Sequence, residues 1–261
     1  MSRPLLEKLS EIRELLDAAP HVLLFTDFDG TLTPIAEHPS LAHLSAETKT
    51  LLEQLSRQSK ITLTVVSGRA LADIQTRVGI AGLVYAGNHG LEICGPGFHF
   101  IDPEAAAQRE ALRQLSEKMF ARLQAVAGAY VENKGLTVSI HFREVADRQV
   151  DDVIRAVRAA VSPRQRQWQL TIGKMVYEIK PRVDWHKGAA LHWIKDRVGK
   201  PKAIAIYLGD DFTDEDAFAA LPDGITVKVG HAEETLAKFH VANPAEVQQF
   251  LQWLIERSHD D

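Results

Sequence analysis

The fold of this 261-residue chain is decided by residues 21–35, HVLLFTDFDGTLTPI. Residues 21–26 form a near-continuous apolar run, which is typical of a strand buried on both faces of a parallel sheet. Two acids, Asp27 and Asp29, follow at once, and then Gly30. Carboxylates this close to a buried strand are costly to pack without a cation between them. The stretch therefore indicates either a cation site or a solvated turn that caps a helix.

Three more apolar runs repeat this pattern along the chain. They are ITLTVVSGR (61–69), LVYAGNHG (83–90) and AIAIYLGDD (203–211). Each run leads directly into polar, glycine-containing sequence, and a helical stretch at 45–58 lies between the first two strands. This alternation predicts an α/β protein with a doubly wound parallel-sheet (Rossmann-like) core, whose polar strand ends meet at the carboxyl edge of the sheet.

Residues 103–180 break the alternation and predict an inserted domain. A long helix (104–125) precedes a strand pair, a helix follows at 147–161, and two more strands end the segment. Adjacent strands between helices are typical of an α+β unit. We therefore predict a core made of residues 1–102 and 181–261, interrupted by a smaller α+β cap domain.

Composition excludes several classes of protein. The formal net charge of −5, with no run of Lys or Arg, argues against a nucleic-acid partner. Cys94 is the only cysteine, so no intrachain disulfide can form and a reducing, cytoplasmic compartment is expected. Charged residues interrupt every apolar run of the first 20 residues, which predicts an amphipathic helix rather than a signal peptide or membrane span. A monomer is expected.

A second acidic cluster, GDDFTDEDAF (209–218), follows the last of the four predicted strands. Asp210, Asp211 and Asp214 share one short loop, and carboxylates at neighbouring strand ends repel one another unless they share a divalent cation. Oxygen ligands favour Mg²⁺. The alternative is helix capping, which suits Glu215 and Asp216 in particular.

Two further positions predict an anion site. Ser67 follows the second strand and leads into a helix, where a hydroxyl and free amides bind anions, although Ser-Gly is also ordinary turn chemistry. Lys187 opens a late helix and is placed to neutralise a phosphoryl oxygen, although a single lysine is more often a surface charge.

The order of these four motifs resembles that of the haloacid dehalogenase superfamily of phosphotransferases. The resemblance implies that Asp27 is the nucleophile, that Asp29 is the general acid and base, and that Ser67 and Lys187 hold phosphoryl oxygens. It also implies Mg²⁺ as the cofactor. The implied metal set is the Asp27 carboxylate, the Asp29 backbone carbonyl and Asp210, with Asp211 and Asp214 acting through water.

A narrower resemblance, to the trehalose-6-phosphate phosphatase family, covers most of the chain. It rests on AGNHGLE (86–92), VENKGLTVSIHFR (131–143), YEIKP (177–181) and GDDFTDEDAF. The implied substrate is a small sugar phosphate, whose many hydroxyls need charged donors and acceptors. The expected substrate-binding residues are Asp27, Phe28, Asp29, Gly30, Ser67, Gly68, Arg69, Asn88, His89, Glu92, Glu132, Lys134, His141, Arg143, Glu178 and Lys180.

Several alternatives stay open at this stage. The substrate can instead be sucrose phosphate or a glycosyl-phosphoglycerate, or the chain can be a sensor that binds a sugar phosphate without turnover. In the smaller domain, Glu132 and Lys134 can be a surface ion pair and His141 an ordinary sheet histidine.

Overall fold

The four apolar runs predicted as strands are neighbours in one nine-stranded sheet, with the spatial order β1-β13-β12-β11-β2-β3-β4-β5-β6. The structure is a computed structural model that describes residues 2–173, 175–231 and 233–257. In chain order, the strands of this sheet and of a second, four-stranded sheet are β1 (Arg3–Pro4), β2 (Val22–Thr26), β3 (Ile61–Val66), β4 (Val84–Gly87), β5 (Glu92–Gly95), β6 (Phe98–Ile101), β7 (Tyr130–Asn133), β8 (Val138–His141), β9 (Trp168–Gly173), β10 (Val176–Pro181), β11 (Ile204–Gly209), β12 (Ile225–Val229) and β13 (Phe239–Val241).

In the spatial order of the large sheet, all seven strands from β1 through β11 and β2 to β4 are parallel. Strand β5 pairs antiparallel with β4. The chain order runs outward from β2 in one direction through β3 and β4, and from β11 in the other through β12 and β13. The boundary between β2 and β11 is therefore a topological switch point, where open α/β sheets bind their ligands beyond the carboxyl ends of the strands. The predicted α/β class with a parallel sheet is confirmed.

Helices cover both faces of this sheet, which explains why its central strands β2, β3, β4 and β11 are mainly apolar. Alternate strand residues point to opposite faces. Leu24 belongs to one buried cluster, and Leu23 and Phe25 belong to the other. The helices, in chain order, are α1 (Leu9–Asp17), α2 (Ala46–Ser56), α3 (Leu71–Val78), α4 (Pro103–Ala107), α5 (Arg109–Leu123), α6 (Asp147–Val161), α7 (Lys187–Val198), α8 (Glu215–Ala219) and α9 (Pro244–Arg257). Among the described residues, no helix combines the length and apolar character needed to cross a membrane.

The chain groups into two compact units, one comprising Met1–Phe100 with Trp185–Asp261 and the other Ile101–Asp184. The smaller unit contains the antiparallel sheet β7-β8-β10-β9 and helices α4 to α6. It has a buried apolar cluster of its own, in which Leu112, Val138 and Ile179 are fully buried. Its role in substrate recognition stays a prediction.

Local structure differs from the sequence expectation at three places. The predicted N-terminal helix is split into a 3₁₀ helix, Leu5–Lys8, and α1. The predicted helix 104–125 is likewise divided at Gln108 into α4 and α5. Strands β1, β5, β6, β12 and β13 are additional to the predicted ones, because none of them leads into a reactive motif.

Candidate active site

Two acids from distant parts of the chain meet beyond the switch point. Asp27 follows β2 and Asp210 follows β11, and these strands are hydrogen-bonded neighbours. The Asp27 backbone N–H donates to the Leu208 carbonyl oxygen at 2.8 Å, which extends the pairing to the nucleophile candidate itself. One carboxylate oxygen each of Asp27, Asp210 and Asp214 lies within 4.8 Å of the others. The sequence motifs at 27 and 210 thus form one site.

Lys187 lies between two of these carboxylates. It is the first residue of α7 and is 2% exposed. Its Nζ donates to Asp27 Oδ1 at 3.0 Å and to Asp214 Oδ1 at 2.6 Å. Burial opposes the charge on Lys187, but the two carboxylates outweigh it and raise the pKa of the ammonium group well above its ordinary range. Lys187 is therefore a permanent positive charge beside the Asp27 carboxylate.

Asp214 is held by donors from three directions. Its Oδ1 accepts from Lys187 and from the Tyr207 hydroxyl at 2.6 Å, and its Oδ2 accepts from the Asp211 backbone N–H at 2.9 Å. The side chain is fully buried. Asp214 thus fixes the position of Lys187, besides the metal role that the family resemblance implies.

Asp211 has a different environment from the other acids of its loop. It is exposed, and its Oδ1 accepts from the Phe212 backbone N–H at 2.7 Å as the cap of the 3₁₀ helix Phe212–Asp214. The group of converging carboxylates found among the described residues does not include it. Its water-mediated role at a metal stays a prediction.

Asp29, the expected general acid and base, is paired with Arg69. Arg69 Nε donates to Asp29 Oδ2 and Nη2 donates to Asp29 Oδ1, both at 2.7 Å. The guanidinium also donates to Asp73 and to the Pro39 carbonyl oxygen. Arg69 was expected to contact substrate, but the structure places most of its donors on the protein.

The Ser67 loop lies against the loop that follows β4. The Ser67 backbone N–H donates to the Ala86 carbonyl oxygen at 2.8 Å, and the His89 backbone N–H donates to the Ser67 carbonyl oxygen at 2.9 Å. Asn88 and His89 adopt φ angles of 49° and 59°, which are uncommon for residues other than glycine. A Cβ atom on Gly68 would lie 2.6 Å from His89 Cε1, so a larger residue there would displace the His89 ring. Four predicted binding residues, Ser67, Gly68, Asn88 and His89, are thus brought together.

Four of the polar candidates of the smaller unit form two side-chain pairs. His141 Nε2 lies 2.9 Å from Glu132 Oε2, and Lys134 Nζ donates to Glu178 Oε1 at 3.1 Å. Glu132 and Lys134, the two residues of the surface-pair alternative, thus each have a partner on another strand. Arg143 is exposed, and Lys180 is half-buried on β10. The structure does not decide which of the six candidates of this unit contact a sugar. These are Glu132, Lys134, His141, Arg143, Glu178 and Lys180.

The side chain of Phe28, a predicted binding residue, lies in the core. Phe28 is fully buried in the core, with the Arg69 guanidinium 5.5 Å from its ring centroid. Glu92 is half-buried on β5. A substrate contact by Phe28 can therefore involve its backbone but not its ring.

Sequence reasoning missed two residues of the site, Tyr207 and Lys228. Tyr207 lies inside the apolar run of β11, where a tyrosine is indistinguishable from a core residue. Lys228 is the one charged residue of the strand ITVKV, and that position was a usable signal. Its Nζ donates to the Asp210 carbonyl oxygen at 2.8 Å and so supports the acidic loop.

The cluster of three carboxylates fits a hard divalent cation. Asp27, Asp210 and Asp214 supply oxygen donors only, and they carry two more negative charges than Lys187 balances. Burial, together with the neighbouring acids, raises the pKa of Asp27 well above its ordinary value although Lys187 lowers it. A cation at this position would favour the ionised form that a nucleophile needs.

Gly30 makes room for one of these ligands. Its φ angle is +79°, and a Cβ atom there would lie 2.2 Å from Asp210 Oδ2. Only a residue without a side chain allows the Asp210 carboxylate to lie over the loop that carries Asp27 and Asp29. This explains the glycine that follows the acid pair in the sequence.

The fold is that of haloacid dehalogenase-like proteins. A solved structure of a haloacid dehalogenase-like hydrolase from Bacteroides thetaiotaomicron has a TM-score of 0.63 at 15% identity and covers 90% of this chain and 99% of its own. A crystal structure of a trehalose-6-phosphate phosphatase related protein has a TM-score of 0.81 at 25% identity, covering 91% of this chain and 99% of its own.

The chain belongs to the trehalose-phosphatase family, whose model matches residues 25–245. Trehalose-phosphate phosphatase from Mycobacterium marinum is 38% identical over 259 residues, which covers 93% of this chain. The chain spans 65% of the length of that relative. The family resemblance stated from the motifs is confirmed.

Proposed function

We propose that this chain is a magnesium-dependent phosphatase that hydrolyses trehalose 6-phosphate to trehalose and phosphate, in trehalose biosynthesis. The observation that carries the proposal is the convergence of Asp27, Lys187 and Asp210 at the switch point of a trehalose-phosphatase family member. This arrangement supplies a nucleophile, a cation for the phosphoryl oxygens and a metal ligand in one place.

In the first half of the reaction, a carboxylate oxygen of Asp27 forms a bond to phosphorus while the bond from phosphorus to the sugar oxygen breaks. Asp29 gives its proton to the departing oxygen. In the second half, a water molecule attacks phosphorus and Asp29 takes its proton. The bond to Asp27 then breaks, which releases phosphate and restores the enzyme.

Lys187 and Ser67 are placed to hold the phosphoryl group. Two N–H groups of Lys187 point to Asp27 and Asp214, and an ammonium group has a third to give. The Ser67 hydroxyl oxygen accepts from the Arg69 backbone N–H at 3.2 Å, so its own hydrogen can be donated to a phosphoryl oxygen. Both groups stabilise the charge that develops during transfer.

The carboxylates of Asp27 and Asp210 would hold Mg²⁺. When bound, the ion would neutralise negative charge on the transferring phosphoryl group. The all-oxygen donor set and the excess negative charge support this choice over a softer metal.

Recognition of the sugar is proposed for the smaller unit. Glu132, His141, Lys134 and Glu178 combine donors and acceptors on neighbouring strands of one sheet, as a disaccharide with many hydroxyls requires. We also propose that the enzyme acts as a monomer in the cytoplasm, where its single cysteine stays reduced. Light scattering on the purified chain tests the monomer.

A panel of phosphate esters tests the proposed substrate. Trehalose 6-phosphate, sucrose 6-phosphate and a glucosyl-phosphoglycerate are compared with and without Mg²⁺ by measuring released phosphate. We expect magnesium-dependent turnover with a clear preference for trehalose 6-phosphate. A preference for another ester would overturn the substrate, and binding without release of phosphate would indicate a sensor instead.

Asp27→Asn tests the covalent mechanism in the same assay. The substitution keeps the shape of the side chain and removes the nucleophilic oxygen charge, so turnover should fall by roughly 10³-fold or more. Circular dichroism and thermal unfolding should show a folded protein. Wild-type turnover in this variant would refute an aspartyl-phosphate intermediate.

A further inference from the structure

Arg69 binds the expected general acid in a way that fixes its orientation. The two N–H groups of Nε and Nη2 reach the two oxygens of Asp29 at 2.7 Å each. This is the bidentate fork that a planar guanidinium forms with a carboxylate, and it sets the plane of the carboxylate as well as its distance. A lysine in this position would attract Asp29 without fixing that plane.

The guanidinium of Arg69 is itself held by the protein. Its Nη1 donates to Asp73 Oδ2 at 2.9 Å, and its Nη2 also donates to the Pro39 carbonyl oxygen at 3.0 Å. Asp73 is fixed in turn by Arg77, whose Nε donates to it at 2.8 Å. Arg69 is only 7% exposed, so it cannot turn toward a ligand without breaking these contacts. Its geometry is that of a support for Asp29.

The backbone of Arg69 also takes part in the phosphoryl-binding loop. Its N–H donates to Ser67 Oγ at 3.2 Å, and its carbonyl oxygen accepts from the Asn88 N–H at 2.7 Å. One residue therefore connects the serine that would hold a phosphoryl oxygen with the acid that would protonate the leaving group. These two groups must keep a constant separation for acid catalysis to work.

We propose that Arg69 is a positioning residue that aims the Asp29 carboxyl group at the oxygen of the departing alcohol, rather than a residue that binds substrate. The inference rests on the proposed phosphatase function and deepens it. Proton transfer requires an acid within hydrogen-bond reach and in the right orientation, so loss of the fork weakens acid catalysis while nucleophilic attack by Asp27 continues.

The leaving group provides the test. A sugar alkoxide needs a proton to leave, whereas p-nitrophenolate is stable without one. The quantity compared throughout is kcat/KM, because it reports only the first half of the reaction, whereas Asp29 acts on water in the second half with either ester. Arg69→Gln should lower kcat/KM for trehalose 6-phosphate by about 10²-fold and for p-nitrophenyl phosphate by less than about 3-fold. Arg69→Lys keeps the charge and loses the fork, so it should show the same selective loss. Full activity of the lysine variant would overturn the proposal, because a charge alone would then suffice.

A double-mutant comparison distinguishes positioning from a general structural effect. In an Asp29→Asn background, Arg69→Gln should cause no further loss with the sugar ester, since the two residues act as a unit. Equal losses on both esters, or additive losses in the double variant, would overturn the proposal. Arg57→Gln, which removes an exposed arginine of the same unit, should leave both activities unchanged.

Two further measurements keep the result decisive. If Arg69→Gln does not fold, Asp73→Asn is used instead, because it removes one contact that holds the same guanidinium. This variant should show a smaller loss of activity, again with the sugar ester and not with p-nitrophenyl phosphate. If the wild type hydrolyses another sugar phosphate and not trehalose 6-phosphate, the proposed substrate fails, and the comparison with p-nitrophenyl phosphate is made on that sugar ester. No hydrolysis of any ester would overturn both proposals.

Discussion

Tyr207 shows how much one buried hydroxyl can contribute to a charged site. Burial, reinforced by Asp214, raises the pKa of Tyr207 well above its ordinary value. The hydroxyl therefore stays protonated and donates a hydrogen bond to the Asp214 carboxylate. Asp214 in turn holds Lys187 beside Asp27. The position of the proposed phosphate-binding cation thus depends on Tyr207 through Asp214.

We predict that Tyr207→Phe reduces turnover by about 10-fold, because a hydrogen bond to a buried charge is worth roughly 1.5–3 kcal/mol. The ring contact with Phe218 is kept, so the protein should fold. The measurement is kcat with trehalose 6-phosphate, together with the free energy of unfolding in urea.

Tyr85→Phe is a matched control for this change. Tyr85 is also a buried strand tyrosine, but its hydroxyl donates to the Ile80 carbonyl oxygen at 2.7 Å, away from the carboxylates. Its removal should cost stability and leave kcat unchanged. Equal effects of the two substitutions on kcat would contradict the role assigned to Tyr207.

At the scale of elements, the site is made by the loops that follow β2 and β11. The two strands are adjacent, and their loops approach so closely that Gly30 contacts the Asp210 carboxylate. Lys228 at the end of β12 ties the second loop to the sheet through backbone carbonyl oxygens. The proposed metal ligands Asp27 and Asp210 are therefore positioned by strand pairing.

We predict that Gly30→Ala displaces Asp210 and weakens Mg²⁺ binding. The measurement is the increase in Tm on addition of Mg²⁺, since a ligand that binds only the native state stabilises it. Wild type should show a clear increase, and Gly30→Ala should show little or none, with a matching loss of activity.

Gly82→Ala separates the contact with Asp210 from backbone strain. Gly82 has a φ angle of +84°, close to that of Gly30, but an added Cβ atom would meet nothing within 4 Å. Gly82→Ala should lower Tm and keep the increase caused by Mg²⁺. Loss of that increase in both variants would show that strain, and not Asp210, is responsible.

At the scale of the whole molecule, the two units have separate apolar cores. The clusters of the larger unit and the cluster of the smaller unit share no residue. Each unit can therefore unfold locally while the other stays folded, which is the behaviour expected of domains with their own cores.

We predict that Ile140→Ala destabilises the smaller unit by about 2–5 kcal/mol, because this side chain is fully buried in its core. Hydrogen exchange measured by mass spectrometry should increase in residues 101–184 and stay low elsewhere. Leu52→Ala, at an equally buried position of the larger unit, should show the reverse pattern. Hydrogen exchange that rises throughout the chain in both variants would contradict separate unfolding of the two units.

The sequence by itself determined the class of fold and the four reactive motifs. The class of fold followed from the apolar runs that lead into Asp27, Ser67, Asn88 and Asp210, because a strand buried on both faces must be apolar and its polar end must lie at the sheet edge. The fourth motif, Lys187, was found at the start of a predicted helix. The family could also be stated from sequence motifs, because the residues within each motif lie close together in the chain.

Only the tertiary structure decided which of the charged residues pair with one another. Arg69 binds Asp29, 40 positions away, and Lys134 binds Glu178, 44 positions away, although each had nearer candidates. Tyr207 was hidden because a buried hydroxyl looks like core until its partner is known. The physical reason is that periodicity records which face of an element is buried, whereas ion pairs and buried hydrogen bonds depend on distances across elements that only packing sets.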